Sequence, residues 1–172
     1  MKNNILFLLV LLASAVTAQS NRTKEQTDKL NAKNGFRKYI LGTSFGHYND
    51  RIANEVEGGK VHSKLYEFKD EDMNISPSII AERIVFQFTT ERLDEVSIKI
   101  RSGSKEFYDF LLREYGSPDN APGDVKTKVQ LYEWKGRLAH LLFYYAKGKE
   151  GAIFKITSPA VNDKDTEIRQ GF

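Results

Sequence analysis

The chain has 172 residues, no cysteine and a formal net charge of +3, with charged side chains of both signs making up 28% of it. The lack of cysteine excludes disulfides, thiol catalysis and a cysteine-linked lipid anchor, so hydrophobic burial must stabilise the fold. A small charge excess on a surface of mixed sign argues against nucleic-acid binding. The length suits one ordinary domain with its own core.

The N-terminus has the pattern of a secretory signal peptide. Lys2 supplies a positive start, residues 5–12 form an unbroken apolar run, and small residues precede a cleavage site after Ala18. The apolar run is too short to span a bilayer. We therefore expect residues 1–18 to be removed and the protein to be periplasmic or secreted. An exported domain without disulfides favours a bacterial envelope.

Two polar segments flank the predicted domain. Residues 19–34 contain Leu30 as their only large apolar residue, which predicts a flexible polar tether. Residues 159–172 predict a loose C-terminal tail. Residues 35–158 between them are expected to form a single domain.

A first helix is predicted from Ser44, a candidate N-cap, to about Val56. Tyr48, Ile52 and Val56 recur every fourth residue, which would place them on one helical stripe. The glycines at 58 and 59 suit the end of such a helix.

Strands are predicted at residues 61–69 and within residues 84–100, where apolar and polar residues alternate as in a half-buried antiparallel hairpin. The acidic residues 70–72 lie between these strands. They lack the spaced oxygen ligands of a calcium loop, so we expect a solvated turn.

A second helix is predicted over residues 105–115, with Ser104 as its cap and Gly116 at its end. Three strands are then predicted between residues 129 and 158, with turns near residues 135–137 and 147–151.

The strand segments repeat along the chain. Leu65–Lys69 resembles Leu131–Lys135, and residues 84–88 with 96–100 resemble residues 141–145 with 152–156. We interpret this as a tandem duplication of a helix plus three-stranded antiparallel unit, spanning about 41–100 and 104–158. The expected fold class is α+β, with the helices on one face of a sheet.

No catalytic, metal or cofactor motif is found. The three histidines lack the paired spacing of a helical zinc site, and neither a nucleophile elbow nor a phosphate-binding loop is present. We therefore expect a protein that is not an enzyme and carries no cofactor or metal. The alternative is a small envelope hydrolase or carbohydrate-binding protein that uses the equivalent residues Glu67 and Glu133, with His140 or aromatic stacking near Trp134.

An apolar strip is expected on the sheet face that points away from the helices. The predicted alternation would turn Leu141, Phe143 and Tyr145 towards the helices, which leaves their neighbours on the other face. Such a strip predicts a binding surface for another envelope or secreted protein; the alternative is that a tail or loop covers it. Its predicted residues are His140, Leu142, Tyr144, Ile153 and Val85.

Two short motifs carry a resemblance to exported bacterial proteins. Leu41-Gly42-Thr43-Ser44 resembles a helix start in the outer-membrane assembly lipoprotein (SmpA/BamE-like) family, and the run Leu112–Pro118 resembles the end of such helices. Two units in tandem resemble the β-lactamase inhibitor protein family. This resemblance implies one concave sheet that grips a protein partner.

Overall fold

The computed structural model describes residues 27–48, 50–51, 53–58, 62–119, 129–146 and 151–159. The predicted signal peptide, residues 19–26 of the predicted tether and residues 160–172 of the predicted tail lie outside these described residues.

Strands dominate the described part of the chain. The main sheet has the order β3-β4-β6-β7-β10-β9-β8, with β5 pairing β6, and its described pairings are antiparallel; β1 and β2 form a separate hairpin. The protein is a mixed α+β fold with antiparallel sheets, as predicted. Its elements are helix α1 (residues 27–33), β1 (Gly35–Phe36), β2 (Tyr39–Ile40), a 3-10 turn (Phe45–Tyr48), β3 (Ala53–Val56), β4 (Ser63–Phe68), β5 (Asn74–Ser76), β6 (Ile79–Thr89), β7 (Arg92–Ser102), α2 (Ser104–Tyr115), β8 (Val129–Lys135), β9 (His140–Ala146) and β10 (Ala152–Thr157).

One face of the main sheet carries the hydrophobic core. Phe143 and Phe154 are fully buried there and contact Phe107 of α2, with ring centroids 5.7 and 5.5 Å away. Phe36 of the β1–β2 hairpin packs on the same Phe154 at 5.3 Å. Each fully buried aromatic side chain contributes about 1.5–3 kcal/mol, so this layer accounts for much of the folding free energy.

The predicted first helix, Ser44–Val56, is wrong. Only Phe45–Tyr48 is helical, as a 3-10 turn, and Ala53–Val56 form strand β3 against β4. Pairing with β4 satisfies the backbone of this segment through the sheet, and the stretch has few strong helix formers. The supposed stripe is therefore divided between two elements, and Ile52 lies outside the described residues.

Residues 27–33 differ from the expected flexible tether because they form helix α1. Leu30 is only 1% exposed and belongs to the core. The side-chain oxygen of Asn31 accepts a hydrogen bond from the Leu138 amide at 2.9 Å, and Lys33 pairs with Glu114 on α2. Leu30 and these polar contacts thus order a segment whose composition suggests disorder.

The predicted second helix is confirmed as α2, but its start differs from prediction. Ser104 is the first helical residue and its hydroxyl makes no capping bond; the cap position is Gly103, with φ of 79°. A side chain at Gly103 would overlap the carbonyl oxygen of Ser78. Glycine is needed here for both conformation and space.

We predict that Gly103→Ala lowers the free energy of unfolding by about 2–4 kcal/mol, because it combines backbone strain with a steric clash. Gly42→Ala is the matched control, since Gly42 has φ of 86° but open space around its Cβ position. That variant should lose only about 1–2 kcal/mol, the cost of the left-handed conformation alone. Urea unfolding of both variants measures the difference, and equal losses would contradict the steric argument.

Candidate functional site

The sheet face opposite the core, called the outer face below, carries all five predicted binding residues. Cross-strand pairing arranges this face in rows. The first row is Leu131, Tyr144, Ile153, Lys99 and Arg83; the second is Glu133, Leu142, Lys155, Ser97 and Val85; the third is Lys135, His140, Thr157, Glu95 and Gln87.

Four apolar residues form a contiguous group at the β8–β9–β10 end of the outer face. Leu131, Tyr144 and Ile153 are consecutive in the first row, and Leu142 lies beside Tyr144 in the second. Leu131 is 45% exposed and the other three are half-buried. We call Leu131, Leu142, Tyr144 and Ile153 the apolar patch. Sequence reasoning missed Leu131, although its alternation with Tyr132 and Trp134 was visible.

The structure separates Val85 from the apolar patch. Val85 shares a row with Leu142, but Ser97 and Lys155 lie between them. Three strand spacings make the distance about 14 Å. The predicted site is therefore divided, since the sequence alone did not place β10 between β7 and β9.

His140 lies at the margin of the apolar patch and is hydrogen-bonded to Glu133. Its Nε2 is 2.7 Å from a carboxylate oxygen of Glu133, whose other oxygen pairs with Lys135 at 3.0 Å. Partial burial raises the pKa of Glu133, but the hydrogen bonds from Lys135 and His140 outweigh it and hold the pKa below its ordinary value of 4.5. Glu133 is thus held as a carboxylate beside the apolar patch.

Glu67 and Glu133 cannot act as a pair of carboxylates. They lie on β4 and β8, which are five strand spacings apart in the sheet, or about 24 Å. Glycosidase carboxylate pairs lie about 5–9.5 Å apart. Trp134 points into the core and donates its indole N–H to the Gly116 carbonyl at 2.8 Å, so its ring gives no stacking surface beside Glu133.

A polar group occupies the middle of the outer face. Asp94 accepts hydrogen bonds from Gln87 at 3.1 Å and Thr89 at 2.9 Å, and all three residues are buried. Next to them, Glu95 pairs with Lys155 at 2.7 Å. The bulge between β6 and β7 brings Asp94 and Glu95 together here. The broken alternation at Leu93-Asp94-Glu95 was the available sequence signal, and it was missed.

The acidic segment 70–72 is not a simple solvated turn. The Glu71 side chain is only 4% exposed and lies 3.1 Å from Arg51 and 3.2 Å from Arg37. Arg51 also holds Asp70 at 2.7 Å, and this contact lowers the pKa of Asp70. The segment therefore joins the β1–β2 hairpin and the 3-10 region to the sheet through ion pairs. Among the residues that the structure describes, no three His, Cys, Asp or Glu side chains are grouped as a metal ion would require.

Comparisons of the chain with protein-family models, with curated proteins and with solved structures found no match. The resemblance to the SmpA/BamE-like and β-lactamase inhibitor families therefore stays a prediction. Within the described part of the chain, no helix has the length and apolar character needed to cross a membrane.

The lowered pKa of Glu133 predicts a pH-dependent contribution to stability. A carboxyl group whose pKa is lower in the folded state stabilises the fold above its unfolded pKa and loses that effect as pH falls through the folded pKa. We expect Glu133→Gln to cost under about 1 kcal/mol near pH 7, because the group is near the surface. The difference in unfolding free energy between this variant and the wild type should disappear as the pH falls below 4.5, the ordinary pKa of a glutamate. Unfolding free energies from pH 7 to acid measure this, and a gap that widens in acid would contradict the assignment.

Proposed function

We propose that the protein is an exported, non-enzymatic binding module that holds a partner protein on the apolar patch. One observation carries the proposal: Leu131, which is 45% exposed, continues an apolar row with Tyr144 and Ile153. Contiguous exposed apolar groups on soluble proteins mark interaction sites, and tyrosine is enriched in interfaces. The signal-peptide pattern supports a partner outside the cytoplasm.

Charges around the apolar patch indicate what kind of partner fits. Lys155 is paired with Glu95, Lys135 with Glu133, and Lys99 with Glu82. Because these cations are already neutralised, the rim favours neither a nucleic acid nor a strongly acidic surface. A partner with an apolar or aromatic centre and a polar rim would complement it.

The β8 edge strand favours binding through side chains. The amide of Asp119 donates to the Glu133 carbonyl at 2.8 Å, and the Asp119 carboxylate accepts from the Lys135 amide at 2.5 Å. These backbone groups face outwards and are occupied. Addition of a partner strand along this half of β8 would have to break both bonds.

We further propose that the main sheet derives from two copies of a three-stranded unit, β4-β6-β7 and β8-β9-β10. The strand order β4-β6-β7-β10-β9-β8 is symmetrical about the β7–β10 junction, which supports this proposal. Tyr66 pairs Phe86 as Tyr132 pairs Phe143, and these are equivalent positions in the sequence repeat. The first copy lacks the predicted helix, so the repeat supported here is one of strands. In this view the outer face is one surface, and the apolar patch lies on the second copy.

The hydrolase alternative gains no support from the site. A carboxylic acid that acts as a general acid at neutral pH needs a raised pKa. The hydrogen bonds from Lys135 and His140 instead lower the pKa of Glu133. Glu67 is tied to Arg83 at the surface. Both carboxylates are thus held in ion pairs, which favours the binding proposal.

Photo-crosslinking in the source cell tests the proposal. A photoreactive amino acid at Leu131 should form a crosslink to one partner protein, whereas the same group at Ile40 should not. Ile40 is the matched control because it is 43% exposed but lies on β2, away from the apolar patch.

We predict that Leu131→Asp weakens binding to the crosslinked partner at least about tenfold, since it places a charge in the apolar centre. Tyr144→Asp should act in the same direction. Ile40→Asp should leave the affinity unchanged. Affinities measured with purified proteins decide this, with circular dichroism to verify folding. Binding that survives both patch substitutions would refute the proposal.

A further inference from the structure

A pocket of about 490 Å³ opens at the corner of the sheet near the 3-10 turn. Its floor is aromatic: Phe45 stacks on Tyr66 with ring centroids 4.6 Å apart, and Phe88 meets Phe45 edge-on at 5.0 Å. Phe45 and Tyr66 are only half-buried, so part of their apolar surface faces the pocket. Volume and lining match those of small-molecule sites.

Three polar side chains at the rim are free to bind. His62 precedes β4, and Thr90 and Glu91 connect β6 to β7. In the described part of the chain, these side chains have neither hydrogen-bond nor ion-pair partners. An aromatic floor with exposed polar groups above it suits a ligand that is apolar on one side and polar on the other.

The rim turn is built from residues that its conformation disfavours. Thr90 and Glu91 have φ of 49° and 63° in a two-residue hairpin loop. Such a turn prefers Asn-Gly, because a β-branched or bulky residue is strained at positive φ. Strained residues with free side chains at a pocket fit a binding role better than a purely structural one.

The opposite end of the sheet shows that the fold can fill this kind of space. There, Tyr108 of α2 covers Tyr132 of β8, with ring centroids 4.4 Å apart, and Tyr145 of β9 stacks on Tyr132 at 6.2 Å. Tyr132 is 9% exposed as a result. At the pocket end, the short 3-10 turn packs Phe45 and Tyr48 on Phe88, at 5.0 and 6.0 Å, and an opening remains beside Phe45 and Tyr66.

Charge at the pocket favours a neutral ligand. The ammonium group of Lys64 is held by Glu55 at 3.1 Å, so an anion at Lys64 would meet the charge of that carboxylate. A cation at Glu91 would also approach Lys64. Neutral ligands avoid both costs, and the rim offers hydrogen-bond donors and acceptors together.

We propose that the aromatic pocket formed by Phe45, Tyr66 and Phe88 binds a neutral pyranose sugar unit, with Thr90 and Glu91 hydrogen-bonding its hydroxyls. A sugar ring has an apolar C–H face for the aromatic floor and hydroxyls for the rim. This site is separate from the apolar patch, and it involves neither Glu67 nor Glu133. The protein would therefore carry two binding surfaces.

NMR titration of the purified protein with glucose, galactose, mannose and N-acetylglucosamine tests the site. At least one sugar should shift backbone amide signals in β4 and the Thr90–Glu91 turn. Thr90→Val, which keeps the shape and removes the hydroxyl, should weaken binding several-fold. Glu91→Gly should weaken it about tenfold while raising the melting temperature, because glycine relieves the turn strain. Glu106→Gln, an exposed acid on α2, is the control and should bind as wild type.

Each outcome decides the proposal. If Glu91→Gly loses sugar binding but gains stability, the loss cannot come from unfolding, which supports the proposed ligand contact. No shifts with any of the four sugars would overturn it, as would a sugar affinity unchanged in both Thr90→Val and Glu91→Gly. Tetramethylammonium serves as an organic-cation probe, since an aromatic floor beside a free carboxylate could attract one. Shifts from that ion without shifts from sugars would overturn the ligand class.

Discussion

The pairing of β7 with β10 is the contact on which the rest of the fold depends. It joins the two halves of the main sheet through Val96 with Ile156, Ile98 with Phe154 and Ile100 with Ala152 on the core face. All six side chains are buried. Without this junction each half would expose the apolar face that α2 and the β1–β2 hairpin cover. Its paired residues are 52 to 62 positions apart in the chain, from Ile100 with Ala152 to Glu95 with Thr157, so it forms only when distant parts of the chain meet.

The same pairing divides the outer face into regions of different chemistry. Its alternate positions bring Glu95 and Ser97 beside Thr157 and Lys155, and the Asp94 group extends this polar centre towards β6. The apolar patch is thereby confined to the β8–β9–β10 end. A ligand that uses the patch would meet a rim of paired charges, which adds specificity more than affinity.

Both proposed sites lie where the sheet's pairing or coverage is incomplete. The apolar patch lies beside the β8 edge, where Asp119 occupies part of the free backbone. The aromatic pocket lies where a 3-10 turn takes the place of the predicted helix. Sheet edges and partly covered corners are where a small domain can expose function without opening its core.

Local sequence patterns predicted much of the architecture. Alternation in residues 84–100 predicted β6 and β7, and the helical period with Gly116 predicted α2, because both signals arise from neighbouring residues. Long-range contacts misled the same reasoning elsewhere. A chance period suggested a helix over Ser44–Val56, where β4 instead recruits β3; Leu30 appeared isolated, but its partners in the core are far along the chain.

The sequence by itself determined the α+β class, the strands of the second half and which of their residues share a face, since alternation fixes facing within a strand. Only the tertiary structure decided which strands are neighbours. That order separates Val85 from Leu142, adds Leu131 to the patch and places Glu67 far from Glu133. The tertiary structure also buries Glu71 against Arg51, although the composition of these segments predicts that both charges face solvent. Strand order depends on how much apolar surface segments far apart in the chain bury against one another. A short stretch of sequence does not contain that information.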